Sequence, residues 1–354
     1  MKILFTTLFL LNLTITTYSQ TDSVQTLIDN GIHLHDQGQY EQAIAKYKEA
    51  LKIDSNNVTA SYEIAFSYLS LKNYTETERL CEEIINKYPK SKTLKNVYTT
   101  YANSLDQRGE PKEALRIYDK AIKMFPDYYM LYFNKGITSY GLKDNYVAQN
   151  SFKKSAQLNP NHSSSFFYLG IVEDNMGNRI SSILALSRFL ILAPKGERAK
   201  QILPHLTKQV NNLHSYIKND NSTSTVSTAK KRTDTTASEF KEVEENLSLL
   251  AVMSSIPGID DKEKTELEEF ETHMQTIFEL LKAYKKDKTG FYWEFLTPFF
   301  IELEKNKFTE TFVFDINSFE NDDKIVDKWF KKNQKEYDNY IDWVNNYKFE
   351  INNR

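Results

Sequence analysis

Apolar residues recur along this chain in three patterns. The first is a short run at the start, where Met1 and Lys2 lead into Ile3–Ile15 (ILFTTLFLLNLTI), a stretch too short to span a bilayer. Thr17-Tyr18-Ser19 then puts small residues at the two places that a signal peptidase reads, with Gln20 next. A positive start, an apolar run and a small-residue site in that order predict an export signal over residues 1–19. The expected mature chain starts at Gln20 and is periplasmic or secreted, in a bacterial envelope, with no stable membrane insertion after cleavage.

The second pattern repeats. Small residues stand at Gly31, Ala65, Ala102, Gly136 and Gly170, spaced by 34 or 37 positions. Twelve positions after each comes another small one: Ala43, Thr77, Ala114, Ala148 and Ser182. Four further on comes a larger one: Tyr47, Cys81, Tyr118, Phe152 and Leu186. Pro89, Pro126, Pro160 and Pro194 keep the same register. This spacing predicts pairs of antiparallel helices. The small residues let two backbones approach, the large ones fill the space between, and a proline ends each second helix. Three extra residues fall near 90–97, so a longer turn is expected there.

These residues resemble tetratricopeptide repeats, five of them over 24–194. Repeat one carries Asn30-Gly31, Leu34, Gly38-Gln39-Tyr40, Ala43, Tyr47, Ala50 and Leu51, and repeat three carries Ala102, Leu105, Gly109, Ala114, Tyr118, Ala121 and Pro126. The resemblance implies an α-solenoid whose first helices line a concave groove for a protein or peptide. Carried over by position, the groove lining is Ile28, His35, Tyr62, Phe66 and Leu69, then Thr99 and Asn103, then Met130, Phe133, Asn134, Ile137 and Tyr140, and finally Phe167, Ile171 and Asp174. The chaperone-binding subclass clamps a terminal carboxylate with Lys and Arg on these faces. That basic set is missing here, so the activity is not inherited. The apolar, aromatic lining suits either an external partner or docking of the chain's own C-terminal region. Ser182 and Phe189 depart from the small-residue pattern, as expected of a terminal unit packing against something different.

The third pattern is a series of helical stripes. Ala199, Ile202, Leu203, Leu206, Val210, Leu213 and Ile217 predict a helix capping the last repeat, interrupted by Pro204. Residues 20–217 then form one domain. Residues 218–238 are rich in Ser, Thr and Asn and are expected as a flexible linker. Residues 239–354 are expected as a C-terminal helical bundle, so the fold class is all-α throughout. Its stripes are Phe240, Val243, Leu247 and Leu250; then Leu267, Phe270, Met274, Ile277, Phe278, Leu281 and Tyr284; then the aromatic Gly290–Leu303; and last Ile325, Trp329, Phe330, Tyr337, Ile341, Val344 and Tyr347. Thr311–Ile316 (TFVFDI) alternates apolar and polar residues and is expected as a short extended piece.

Composition narrows the chemistry. A net charge of −3 lacks the basic excess of a nucleic-acid binder. The single cysteine, Cys81, excludes an internal disulfide or a Cys-rich zinc site, and its place at a large apolar repeat position makes it a buried hydrophobe. Gly136 and Gly141 have phosphate-loop spacing, but Leu142 stands where lysine is required. His33 and His35 point to different sides of one helix, and Glu269 with His273 lacks a third ligand. No catalytic residue, cofactor or metal is therefore expected. The alternative is a ligand-binding or enzymatic C-terminal domain with the repeats as adaptor, its site among Phe291, Tyr292, Trp293, Phe295, Trp329 and Trp343. Such aromatic faces stack on sugar rings, which makes an envelope glycan the ligand of that alternative.

Overall fold

The repeating pattern becomes a series of helical hairpins. The computed structural model describes residues 23–211, 239–254, 264–318 and 324–350, with the backbone alone for 251–254. The expected export signal and linker lie outside the described residues. The chain forms two compact units, residues 1–100 and 101–354.

In the first unit α1 (Val24–Asp36) pairs with α2 (Tyr40–Ile53), and α3 (Val58–Ser70) with α4 (Tyr74–Lys87). The division falls within α5 (Leu94–Gln107). The second unit continues with α6 (Pro111–Met124), the pair α7 (Tyr129–Gly141) and α8 (Asn145–Leu158), and the pair α9 (Ser163–Asn175) and α10 (Arg179–Leu192). Two of the three extra residues of repeat three sit in the connection 88–93, six residues where 54–57, 125–128 and 159–162 have four, and the third lengthens α5. Ser23, Asn57, Asn73 and Asp144 cap their helices, each side chain accepting from a backbone N–H of the first turn.

The small and large positions meet as expected. A Cβ placed on Gly136 would lie 2.6 Å from the Phe152 ring, and one on Gly170 would lie 2.5 Å from Leu186. Gly31 stands against Tyr47 in the same way. Where the second small residue is polar, its hydroxyl finds the facing backbone: Ser182 donates to the Gly170 carbonyl at 2.9 Å. Cys81 is wholly buried, and burial pushes its thiol pKa up. Each hairpin turn also places one residue at positive φ, namely Gly38, Lys72, Gly109, Lys143 and Gly177. Three of the five are glycine, which takes that conformation without steric cost.

After the repeats come α11 (Glu197–Asn211), with Pro204 inside it, α12 (Lys241–Ser254) and α13 (Glu266–Tyr284). Thr265 and Glu268 form a reciprocal capping box at the start of α13. The aromatic segment is a π-helical turn, Tyr292–Leu296, running into α14 (Thr297–Lys305). The bundle closes with α15 (Thr309–Ile316) and α16 (Lys324–Asn346), the latter kinked at Asn333. Thr311–Ile316 is therefore helix and not extended. The whole of Thr309–Ile316 except Glu310 is buried, so its alternation reflects burial on several sides and not a two-faced strand.

Candidate functional site

In the first unit, two of the groove positions are core. Ile28 is 2% and Leu69 6% exposed. Between them, half-buried rings form a ladder. His35 stacks on Phe66 with centroids 4.8 Å apart, and Phe66 faces Tyr62 at 6.0 Å, both pairs within 13° of parallel. The His35 ring is fixed by Ser67 Oγ at 2.9 Å from Nδ1 and Ser70 Oγ at 3.4 Å from Nε2. Burial lowers its pKa, against the pull of Asp36, and so favours the neutral imidazole. Thr99 is buried and donates to the Lys95 carbonyl.

In the second unit, Asn103 accepts the hydroxyl of the buried Tyr118, so it serves the packing of α5 on α6. Asn134 donates to the Met130 carbonyl one turn back. Phe133 packs edge-on to His162 at 4.7 Å and lies 5.9 Å from both Phe152 and Tyr168. Phe167 meets Tyr168 and Phe189, each at 5.1 Å, and the Arg198 guanidinium sits 5.3 Å from its ring centre. Ile137, Tyr140 and Ile171 are half-buried beside the same core. Asp174 accepts from Gln209 Nε2 and lies 3.2 Å from His205 Nε2, which ties α9 to α11. The expected residues thus form an aromatic face on α7 and α9, with Asp174 committed to the cap.

The C-terminal helices attach elsewhere. Their contacts fall on α8, on α10, on the buried side of α9 and on the capping helix α11. Glu173, wholly buried, receives Gln149 Nε2 at 2.8 and 2.9 Å, Asn178 Nδ2 at 2.6 Å and the Tyr292 hydroxyl at 2.7 Å. Lys153 lies 3.6 Å from both Glu173 and Glu239 and 4.8 Å from the Tyr292 ring centre. Arg188, 1% exposed, lies over the rings of Phe299 at 4.7 Å and Phe349 at 5.0 Å. Every residue from Ile180 to Ile191 is buried, because α10 serves the last hairpin on one side and the bundle on the other.

A TPR repeat family model matches residues 31–72, and two tetratricopeptide repeat models match 59–91 and 100–160. The first half of this chain is a tetratricopeptide repeat array. A thermophilic TPR protein of Thermus thermophilus is 19% identical, with 53% of this chain and 98% of that one covered and a TM-score of 0.44. The Pseudomonas aeruginosa pilF protein is 16% identical, with 70% and 96% covered and a TM-score of 0.46. The Drosophila melanogaster protein O-mannosyl-transferase Tmtc3 is 25% identical over 118 residues, 30% of this chain. The chain spans only 13% of that relative's length.

Beyond the tetratricopeptide array, most of the aromatics of the alternative site are core. Tyr292, Trp293, Phe295 and Trp329 are buried. The indole N–H of Trp293 donates to the Glu239 carbonyl at 3.0 Å, and that of Trp329 to Glu310 Oε1 at 2.7 Å. Phe291 and Trp343 are half-buried, and Trp343 lines an open surface cavity of about 670 Å³ with Lys285, Lys288, Glu294 and Glu302 among its rim. His273 faces Asn211 Oδ1 at 3.1 Å instead of a metal-ligand set. Among the described residues there is no group of three His, Cys, Asp or Glu placed to hold a metal, and no helix is long and apolar enough to cross a membrane. The attachment residues Lys153, Glu173 and Arg188 were not anticipated from sequence. The available signal was α10 itself, which has apolar residues on every side and yet carries Arg188 in the midst of them.

Proposed function

We propose that this protein is a non-enzymatic scaffold, exported to the periplasm or beyond, that presents the apolar and aromatic face of its first helices to a protein or peptide. Tetratricopeptide repeats are a protein-interaction fold, and the stiff small-to-large packing of each hairpin supplies a surface of fixed shape. The observation that carries the reading is the use of opposite sides in repeats four and five. Within these repeats the bundle's contacts fall on the second helices α8 and α10 and on the buried Glu173 of α9, while Phe133, Tyr140 and Phe167 stay half-buried on α7 and α9. Proteins that hold a partner commonly do so through such clustered aromatics.

Site-specific photo-crosslinking in cells tests this. A crosslinker at Tyr140 should trap a partner that one at the exposed Asn150 of α8 does not, and Phe167→Ala should reduce the yield. Equal trapping from both positions contradicts the reading. For export, the basic start and apolar run of residues 1–15 are the support. N-terminal sequencing should begin at Gln20, and Met1 retained in a cytosolic fraction refutes it.

A further inference from the structure

The cavity of about 670 Å³ opens where three parts of the bundle converge: the connection after α13, the start of α14 and the tail 347–350 that follows α16. Its size falls within the roughly 300–1,000 Å³ of small-molecule sites. The π-helical turn helps to shape it. There the Thr297 N–H reaches the Tyr292 carbonyl, five residues back, and the turn supplies Glu294 and Phe295 to the lining. Turns of this kind are rare and occur frequently at functional sites.

One wall is aromatic. Trp343 packs on Phe299 with ring centres 5.0 Å apart, and Tyr347 stands edge-on to Trp343 at 5.4 Å. Trp343 and Tyr347 are half-buried, with Pro298 beside them. Phe299 is wholly buried, so the core holds one side of the indole and the cavity takes its exposed part. The rim is charged but balanced, with Lys285, Lys288 and Lys348 against Glu294, Glu302 and Glu350. Lys288 pairs with Glu242 at 2.7 Å, and Glu294 accepts from the Gly290 N–H at 3.0 Å. The side chains of Lys285, Glu302, Lys348 and Glu350 make no hydrogen bond or ion pair among the described residues. Two cationic donors and two anionic acceptors therefore stand unused around an aromatic wall.

We propose that this cavity binds a neutral oligosaccharide bearing N-acetyl groups. The C–H face of a pyranose ring is slightly positive and lies against the negative face of an aromatic ring, here Trp343. An acetamido group offers its N–H to a glutamate, its carbonyl to a lysine and its methyl group to the indole. Sugar hydroxyls both donate and accept, so they use rim charges of either sign in charge-assisted bonds. A ligand of high net charge would instead meet as many like charges as opposite ones. The open side lets a sugar chain run on past the cavity. This inference stands apart from the scaffold reading, because α7 and α9 supply none of the lining.

The test is isothermal titration calorimetry on the full chain with tri-N-acetylchitotriose, maltotriose and the peptide acetyl-Gly-Ser-Gly-amide. The first should bind about tenfold tighter than the other two, or more. Glu302→Gln, on the exposed rim, keeps the shape and removes the charge, and should weaken it severalfold. Trp343→Leu should abolish binding, and Trp343→Phe, which keeps a ring on Phe299, should fall between. Lys305→Gln, exposed on α14 outside the cavity, should leave the affinity unchanged. No binding of the first sugar, equal binding of maltotriose or the peptide, or binding that survives both Glu302→Gln and Trp343→Leu overturns the site.

Discussion

Tyr292, in the π-helical turn, donates its hydroxyl proton across 2.7 Å to Glu173, a residue of repeat five buried from all solvent. The bond joins the bundle to the array at a carboxylate that also holds Gln149 and Asn178. Tyr292→Phe removes one donor from a buried charge and should cost about 1.5–3 kcal/mol in urea unfolding. An unchanged midpoint would show that this bond does not hold the two together.

Arg188 presents the opposite case. Among the described residues its Nε and Nη1 are buried without partners, and only Nη2 reaches an acceptor, the Pro160 carbonyl at 3.3 Å. Burial lowers its pKa to about 10. An apolar side chain of similar length avoids that desolvation, as for other buried charges. Arg188→Met should therefore leave stability within about 1 kcal/mol of wild type or raise it. A loss of several kcal/mol would show that the contacts with Phe299 and Phe349 outweigh the cost of burying the charge.

Gly136 leaves no room for a methyl group beside Phe152. Gly136→Ala should cost about 1–3 kcal/mol in thermal unfolding, and Phe152→Leu on the same chain should recover part of it.

Asp315 is 2% exposed and is held by the Tyr337 and Tyr340 hydroxyls at 3.0 and 3.4 Å. Burial outweighs those bonds and raises its pKa to about 6, above the unfolded value of about 3.8. The folded state then binds the proton more tightly, so this group stabilises fully below about pH 4 and loses that contribution as pH rises to 6. The stability of Asp315→Asn relative to wild type should climb by about 2–3 kcal/mol between pH 4 and 7. A flat difference across that window would contradict the shift.

Lys143 occupies the hairpin-turn position that Gly109 and Gly177 fill elsewhere, at φ 62°. Its Cβ crowds the backbone there, so Lys143→Gly should stabilise by about 1 kcal/mol, measured by thermal unfolding.

The hairpins were legible in the sequence because their packing is local and repetitive. Gly136 with Phe152, or Gly170 with Leu186, is one contact copied at a fixed spacing, and a copied contact leaves a period. The longer connection at 88–93 was visible as a break in that period. The attachment of the bundle leaves no period, since Tyr292 meets Glu173 once, across a long stretch of chain. Thr311–Ile316 misled because its polar residues are buried with partners, Thr311 with Glu336 and Asp315 with Tyr337 and Tyr340, so its alternation does not separate a buried face from an exposed one. In the groove the expected positions differ in exposure and in what they touch. Ile28 and Leu69 turn into the core, Asn103 serves Tyr118 and Asp174 serves α11, which depends on partners that a position-by-position transfer does not see.

The burial of α10 on all sides has a mechanical consequence. A stack of helical hairpins ordinarily unravels from either end, since each terminal unit has only one neighbour. Here the last hairpin is clamped between the array and the bundle, so fraying is confined to the α1 end. Amide exchange should be fastest in the first hairpin and slowest in α10, a gradient along the chain that gives this protein one loose end and one locked one.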